Sequence, residues 1–486
     1  MITIEEISTF CKRKGFVYPS SEIYGGLAGF WDFGPLGIEL FNNIKKEWWN
    51  YFVHQKANIV GLDASIISNP KVWKASGHLA NFSDVAVACK KCKKANKVDK
   101  TELEKAKCSF CNGELDKANA KSLQQMLTTK VGPVEQDSIT AYLRPENAQG
   151  MFTNFKLVTD TSRVKLPFGI AQIGKCFRNE IAPRDFLFRS REFTIAEFEF
   201  FIHPKETKCD ILEKLHLDLK VRLLNSETQE KGKKDVEETT IGKMIKEKRL
   251  DEWHAYWLAE QLMFFKSIGI DTKKIKIREH IKDELSHYSS ATFDLDYEYP
   301  FGSKEVAGNA NRGQFDLTNH TKESGQNLDY FDEENKSRVI PRVIEPTFGL
   351  DRIFLAAIID CYAFDEKRGN IVLKLHPKLA PVQLGVFSLV NKLNDEAKEV
   401  FDELKKDFVC FLDLSGSIGR RYARADEIGI PYGITIDFDC KKNKDVTIRD
   451  RDSTKQIRVK RKDLKETLRK LLNQEIEFEK AGKLIK

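Results

Sequence analysis

Across 486 residues there is no apolar run long enough to cross a bilayer, which excludes a helical membrane protein. Nor do the opening residues, MITIEEISTFCKRKGF, read as a secretory leader: acids come early and no apolar core region follows, so a cytoplasmic protein is expected. Internal repeats and low-complexity tracts are missing, which sets repeat architectures aside. Charge of one sign is not in large excess. Lys and Arg total 80 against 73 Asp and Glu, a net of +7, which says only that an anionic partner would not be repelled. With no export signal, the ten cysteines point to reduced thiols or a metal rather than disulfides. What is present is an ordinary globular composition, 41% hydrophobic and 31% charged, with enough chain for two or more domains.

The stretch from 174 to 202, GKCFRNEIAPRDFLFRSREFTIAEFEFFI, organises the reading. It predicts two strands joined by a long loop. Alternation puts Gly174, Cys176, Arg178 and Glu180 on one face of the first strand, and Arg191, Phe193, Ile195, Glu197 and Glu199 on one face of the second. The opposite face, Thr194, Ala196, Phe198, Phe200 and Ile202, is apolar enough to pack on helices, so the charged face is left open. Such a face, beside a loop with Arg184 and Arg189, suits a nucleoside triphosphate. Arg178 can pair with a phosphate, Phe193 can stack on a base, and Glu180 can accept from an exocyclic amine. The bland alternative is the solvated face of a hairpin.

Cys89, Cys92, Cys108 and Cys111 form C-x2-C-x15-C-x2-C, a spacing that brings four thiolates to the corners of a tetrahedron and predicts a structural Zn2+ with no open catalytic position. Upstream, apolar residues at helical spacing predict a helix over about 37–55, followed by a strand through ANIVGLDASIISNP ending at Pro70. Residues 204–285 alternate charged clusters with helical periodicity and read as a helical spacer with solvated faces. From about Pro377 strands and helices alternate in a smaller module, predicting a mixed, largely parallel sheet; there Arg420, Arg421, Tyr422 and Arg424 could serve RNA or be plain helix residues. His78, beside a turn, reads as a hydrogen-bonded structural residue.

FRNE, a loop, then REFTIAEFEFF resembles the second signature motif of class II aminoacyl-tRNA synthetases, and in its detail the glycine-specific branch of that family. The helix, strand and Pro70 resemble the first motif, which in that class builds the dimer interface, and RVIEPTFGLDRIFLAAIIDCYAF resembles the third. KVWKASGHLANFSD also matches the glycine branch, and the terminal module resembles the anticodon-binding domain of the glycyl, histidyl, prolyl and threonyl enzymes. The resemblance implies an α+β fold, the class II antiparallel sheet flanked by helices. It implies a catalytic domain over 1–376, interrupted by a four-cysteine, zinc-ribbon-like insertion at 86–139 and a mostly helical one at 204–285, and an α/β anticodon-binding domain over 377–486.

The activity implied is glycine–tRNA ligation: ATP activates glycine as glycyl-adenylate, and glycine passes to the 3'-terminal adenosine of tRNA(Gly), in a homodimer. By the same resemblance Arg178, Arg352 and Glu305 would be catalytic, with Glu305 holding Mg2+. ATP would be bound by Arg178, Asn179, Glu180, Phe188, Arg189, Arg191, Phe193, Glu305, Val306, Gly349 and Arg352. Glycine would be bound by Glu146, Glu197, Glu345 and Thr347, with Arg144 supporting Glu146. Two departures stand out. Asn311, Arg312 and Gly313 replace the usual Asp-Arg-Ser, and Thr347 stands where the branch usually has Ser. Competing readings are a synthetase for another amino acid of the subgroup, a non-catalytic RNA-binding paralogue, and a zinc-ribbon nucleic-acid-binding protein.

Overall fold

The computed structural model describes residues 2–98, 103–104, 106–286, 288–333 and 336–485. At its centre lies a nine-stranded sheet. In chain order its strands are β1 (Ile59–Gly61), β2 (Phe168–Phe177), β3 (Glu192–Ile202), β4 (Lys220–Leu224), β5 (Glu237–Thr240), β6 (Ile275–Glu279), β7 (Ala291–Tyr299), β8 (Gly302–Gly313) and β9 (Arg342–Gly349). Across the sheet the order is β5-β4-β6-β7-β8-β9-β3-β2-β1. The six contiguous strands from β6 to β2 pair antiparallel, while β1 and β4 pair parallel with β2 and β6.

Strand alternation decides what covers each face. Behind the sheet lie α1 (Pro35–Trp49) and two helices whose ranges follow; in front of its lower half lies α2 (Ala148–Ser162). The helices that complete the two layers are α3 (Glu252–Ser267), α4 (Phe315–Ser324) and α5 (Leu350–Cys361). Ala196, Phe198, Phe200, Ile202 and Phe348 point back into one large core with α1, α3 and α5. Phe168, Ile170, Phe201 and Val343 point forward into a second core under α2, closed by Phe152 and Phe155. Above α2 the front face carries Glu197 and Glu199 on β3 and Glu345 on β9, together with the apolar Phe193 and Ile195.

The segment 204–285 departs from the helical-spacer reading. It supplies β4, β5 and β6, which extend the central sheet, and α3, of which 12 residues in 16 are buried. Strands of four and five residues are too short to show a period, and WHAYWLAEQLMFF has no polar face to solvate. The strand expected to end at Pro70 is also divided: β1 joins the central sheet, whereas Ile67–Ser68 pairs with Ile139–Leu143 in a separate one. Ser83–Ala88, Ala95–Val98 and Lys121–Gln124 form a small three-stranded sheet around the cysteines.

The terminal module has its own core and a six-stranded sheet. Its strands are β10 (Leu384–Ser388), β11 (Cys410–Asp413), β12 (Tyr432–Ile436), β13 (Asp445–Asp450), β14 (Gln456–Lys460) and β15 (Lys483–Leu484), in the order β11-β10-β12-β13-β14-β15. Only the first two pairings are parallel; the hairpins from β12 onward are antiparallel, so the sheet is mixed rather than largely parallel. Arg421, read as a possible RNA contact, is 1% exposed and donates to the Ser388 and Leu414 carbonyls, and Arg424 is tied to Asp413 at 2.6 Å. Arg451 fastens this module to the catalytic part, donating to the carbonyls of Leu375 at 2.8 Å and of Gly429 at 2.9 Å.

Candidate active site

Register brings the four expected glycine residues together. Thr347 on β9 lies directly opposite Glu197 on β3, with Gly308 of β8 beyond it. The Thr347 hydroxyl donates to Glu197 Oε2 at 3.3 Å, and the backbone N–H of Asn147 donates to Oε1 at 2.5 Å. Two residues along β9, both oxygens of Glu345 accept from Arg312 Nη1 at 3.0 Å. Glu146, in the turn before α2, accepts from Gln149 at 3.0 Å. Arg144 supports this turn from below through the carbonyls of Lys175 at 2.8 Å and Ala64 at 2.6 Å. It crosses β2 where Gly174 leaves room, since a Cβ at 174 would lie 2.2 Å from Arg144 Nη2.

Arg312 is the hub of the pocket, and the sequence marked it only as part of a departure from the family pattern. It is 1% exposed, donates twice to Asp316 at 2.8 and 2.9 Å, lies 3.7 Å from Glu146, and covers the ring of Tyr288 at 3.8 Å. One guanidinium thus faces Glu146, Glu345 and Asp316. His78, read as structural, is buried and places Nε2 3.3 Å from Glu146 Oε2, while Ser76 Oγ lies 2.8 Å from its Nδ1. The signal available for both was indirect: Arg312 is the cation nearest an acid-rich strand pair, and SGH follows a turn.

Crowding buried acids shifts their titration. Burial, then the Glu345 and Glu146 charges, push Glu197 up to about 8. Burial outweighs Arg312 at Glu345 and pushes it up to about 7. At Glu146 burial also opposes ionisation, but His78, Arg312 and Gln149 outweigh it and hold the carboxyl well below the usual range. The result is a buried cluster in which Glu146, Glu197, Glu345 and Asp316 outnumber the cationic groups beside them, Arg312 and His78.

Next to it on the same face lie the arginines. Arg178, just past β2, stands over the Phe193 ring at 5.2 Å and donates to the Pro145 carbonyl at 3.2 Å. Arg352, in the first turn of α5, pairs with Glu305 Oε2 at 2.9 Å and covers the Phe188 ring at 4.4 Å. Gly349 leaves it room, because a Cβ there would lie 3.1 Å from Arg352 Cδ. Burial opposes ionisation of Glu305, yet Arg352 and Arg178 outweigh it and keep the carboxylate charged. Glu305 and Asp294 flank Gly308, each with an oxygen 3.7 Å from the space a Cβ would take. Glu180 is buried with Arg189 Nε at 3.7 Å from Oε2.

Three expected ATP residues are placed differently. Arg191 spends its guanidinium on the carbonyls of Glu180 at 3.1 Å and Ala28 at 3.0 Å, bracing the loop. The Val306 side chain packs in the main core, so only its backbone faces the site. Asn179 is exposed, its N–H held by the Gln125 carbonyl at 2.7 Å.

In the insertion, the Sγ atoms of Cys89, Cys92, Cys108 and Cys111 all lie within 4.8 Å of one another. Two pairs, Cys89 with Cys111 and Cys92 with Cys108, are at 3.5 Å, against about 3.8 Å for the edge of a tetrahedron with ~2.3 Å zinc–sulfur bonds. Backbone N–H groups of Cys92 and Phe110 point at sulfurs at 3.4 Å, as thiolates require. A Cβ at Gly113 would lie 3.2 Å from the Cys111 sulfur and 3.3 Å from that of Cys89, so a larger residue at the second knuckle would press on the sulfurs.

Comparison with known proteins identifies both domains. Residues 133–362 match the tRNA synthetase class II core domain (G, H, P, S and T), and residues 383–471 match the anticodon binding domain. The crystal structure of prolyl-tRNA synthetase from Cryptosporidium parvum, complexed with L-proline and AMP, covers 97% of this chain and 76% of its own, with a TM-score of 0.57 at 13% identity, a likeness of fold. The glycine–tRNA ligase of Borrelia hermsii is 42% identical over 96% of this chain and 96% of its own. That of Treponema denticola is 41% identical over 95% and 96%, and that of Geobacillus thermodenitrificans 42% over 96% and 97%. With this identity running through both domains, the chain belongs to the glycine–tRNA ligase family.

Proposed function

We propose a division of labour on the open face of this ATP-dependent ligase, whose substrates are glycine, ATP and tRNA and whose class uses Mg2+ with ATP. Glu146, Glu197 and Glu345 receive the ammonium of glycine, and the Thr347 methyl and hydroxyl close the pocket at its α-carbon. Selection works by exclusion: no amino acid is smaller, so a wall at that carbon suffices without an editing site. The glycine carboxylate is already ionised and needs alignment and charge stabilisation more than a base. Arg178 holds the α-phosphate as charge builds during attack, with Phe193 stacking on adenine and Glu180 accepting from its amino group. Arg352 takes the γ-phosphate, exchanging Glu305 for it. Glu305 and Asp294 are the oxygen donors that fit a Mg2+ on the phosphates, where the ion would neutralise charge.

The observation that carries this reading is the adjacency of a buried acid cluster, Glu146, Glu197 and Glu345, and two arginines, Arg178 and Arg352, on one sheet face. Four convergent sulfurs support a structural zinc in the insertion. The family resemblance of α1 and β1, with Ile38, Ile66 and Ile67 partly exposed near them, supports a homodimer, and the terminal module supports anticodon reading of tRNA(Gly) in the cytoplasm. The test is ATP–pyrophosphate exchange without tRNA, each of the twenty amino acids offered separately. Exchange with glycine alone is expected. Exchange with another amino acid instead would overturn the pocket assignment, and exchange with none in folded, metal-loaded protein would overturn adenylation on this face.

A further inference from the structure

Glu199 is a buried acid that the scheme above does not use. It follows Glu197 by two residues on β3 and faces the same way, yet its exposure is 0%. The β3–β9 ladder pairs Glu197 with Thr347 and Phe200 with Ile344, which sets Glu199 directly opposite Glu345. On its other side stands Ile170. Among the described residues, none donates a hydrogen bond to either carboxylate oxygen of Glu199, whereas both oxygens of Glu345 accept from Arg312.

Two ionised carboxylates directly opposite each other in a buried strand pair repel, and one without any donor bears the full cost of desolvation. Arg312 cannot serve both, since it is already shared by Glu345, Asp316 and Glu146. An apolar residue would remove the problem, so an acid here has a use only in its protonated form. Facing side chains on a strand pair stand ~4.5–5.5 Å apart at Cβ, within reach of an O–H bond or of one bridging water. We infer that Glu199 is a positioning residue for Glu345: a neutral carboxylic acid whose O–H is donated towards Glu345, directly or through one bound water, fixing the carboxylate that receives the ammonium of glycine. Burial and the nearby Glu345 charge both favour the neutral form.

This rests on the glycine-pocket reading, and its test separates the two. Wild type, Glu199→Gln and Glu199→Met are compared by ATP–pyrophosphate exchange with glycine and ATP varied in turn, and by thermal unfolding. Gln keeps an N–H donor and is expected to hold the glycine KM within about threefold. Met removes the donor and is expected to raise it about tenfold, with the ATP KM unchanged and Tm no lower, because a buried acid has been replaced by an apolar side chain. An unchanged glycine KM in Glu199→Met overturns the proposal, as does a Glu199→Gln enzyme as impaired as Glu199→Met. If Glu199→Met does not fold, an infrared difference spectrum of wild type minus Glu199→Gln at neutral pH decides: a protonated-carboxyl carbonyl band supports the proposal and its absence overturns it. Glu345→Gln is the control. Should it leave the glycine KM unchanged, the pocket assignment itself falls, and the positioning role with it.

Discussion

Burial, with like charges beside it, pushes Glu197 up to about 8 and burial pushes Glu345 up to about 7, far above the ordinary 4.5 of a glutamate, and this fixes a pH dependence. An ammonium is held by carboxylates, so kcat/KM for glycine should rise with pH through about 7–8, with a proton released on binding. The ATP KM should stay flat across that range. Glu197→Gln should lower kcat/KM for glycine about tenfold or more and remove the upper part of the rise; a parallel loss for ATP would contradict the assignment. The stability sign runs the other way. Between about pH 4.5 and 8 the folded, empty protein holds protons that the unfolded chain has released, so these two groups contribute less stability as pH rises. Glycine should therefore raise Tm more at pH 8 than at pH 6. At Arg312 the expectation is structural as well: Arg312→Leu strands Asp316 and Glu345 in the core and should cost ~3–5 kcal/mol in denaturant unfolding. That Glu197, Glu345 and Thr347 share a face was legible in the sequence because strand alternation sets it, and Glu146 in its turn was placed by the family motif alone. Arg312 was not, because it sits at a bulge where the β8–β9 register shifts between Asn311 and Gly313, and a bulge re-aims a side chain in a way alternation does not foretell.

At the scale of elements, the antiparallel hairpin of β2 and β3 was readable because polar and apolar residues alternate through AEFEF in a run rich in Phe and Ile. The four-sulfur knuckle pair was readable because its spacing is a geometric demand. The strands of 204–285 were not, being too short for a period, and α3 was misjudged because a helix apolar on every side says only that it is buried. These elements make separate predictions. Since the four sulfurs leave no open position, zinc should serve the insertion and not the chemistry. Cys108→Ser should cut bound zinc, measured by elemental analysis, and speed amide exchange across 83–124. Amide exchange in β2, β3 and β9 should be unchanged.

Taken whole, the molecule joins its catalytic part to the terminal module across an apolar seam, Leu36 packing against Val382, Phe387, Ala425 and Ile430, with arginines pinning the junction. Arg451 is 2% exposed and bonds carbonyls on both sides of the junction, and Arg368 reaches Asp426 at 3.1 Å and the Asp452 carbonyl at 3.0 Å. Arg451→Met should uncouple the terminal module, seen as two thermal transitions in place of one. It should impair tRNA aminoacylation several-fold while sparing ATP–pyrophosphate exchange, for which the residues proposed above all lie in the catalytic part. The place of α3 bears on how such an enzyme can be shortened. Its Trp253 and Trp257 pack on Phe200 and Phe198, its Phe264 on Phe348, and its Gln261 donates to the Gly308 carbonyl at 2.9 Å, directly behind the glycine and phosphate residues. A segment that looks added on in the linear order thus backs the central sheet behind the proposed site, so excising 204–285 should forfeit three strands and that backing, and the smallest working version of this protein is expected to keep the segment whole.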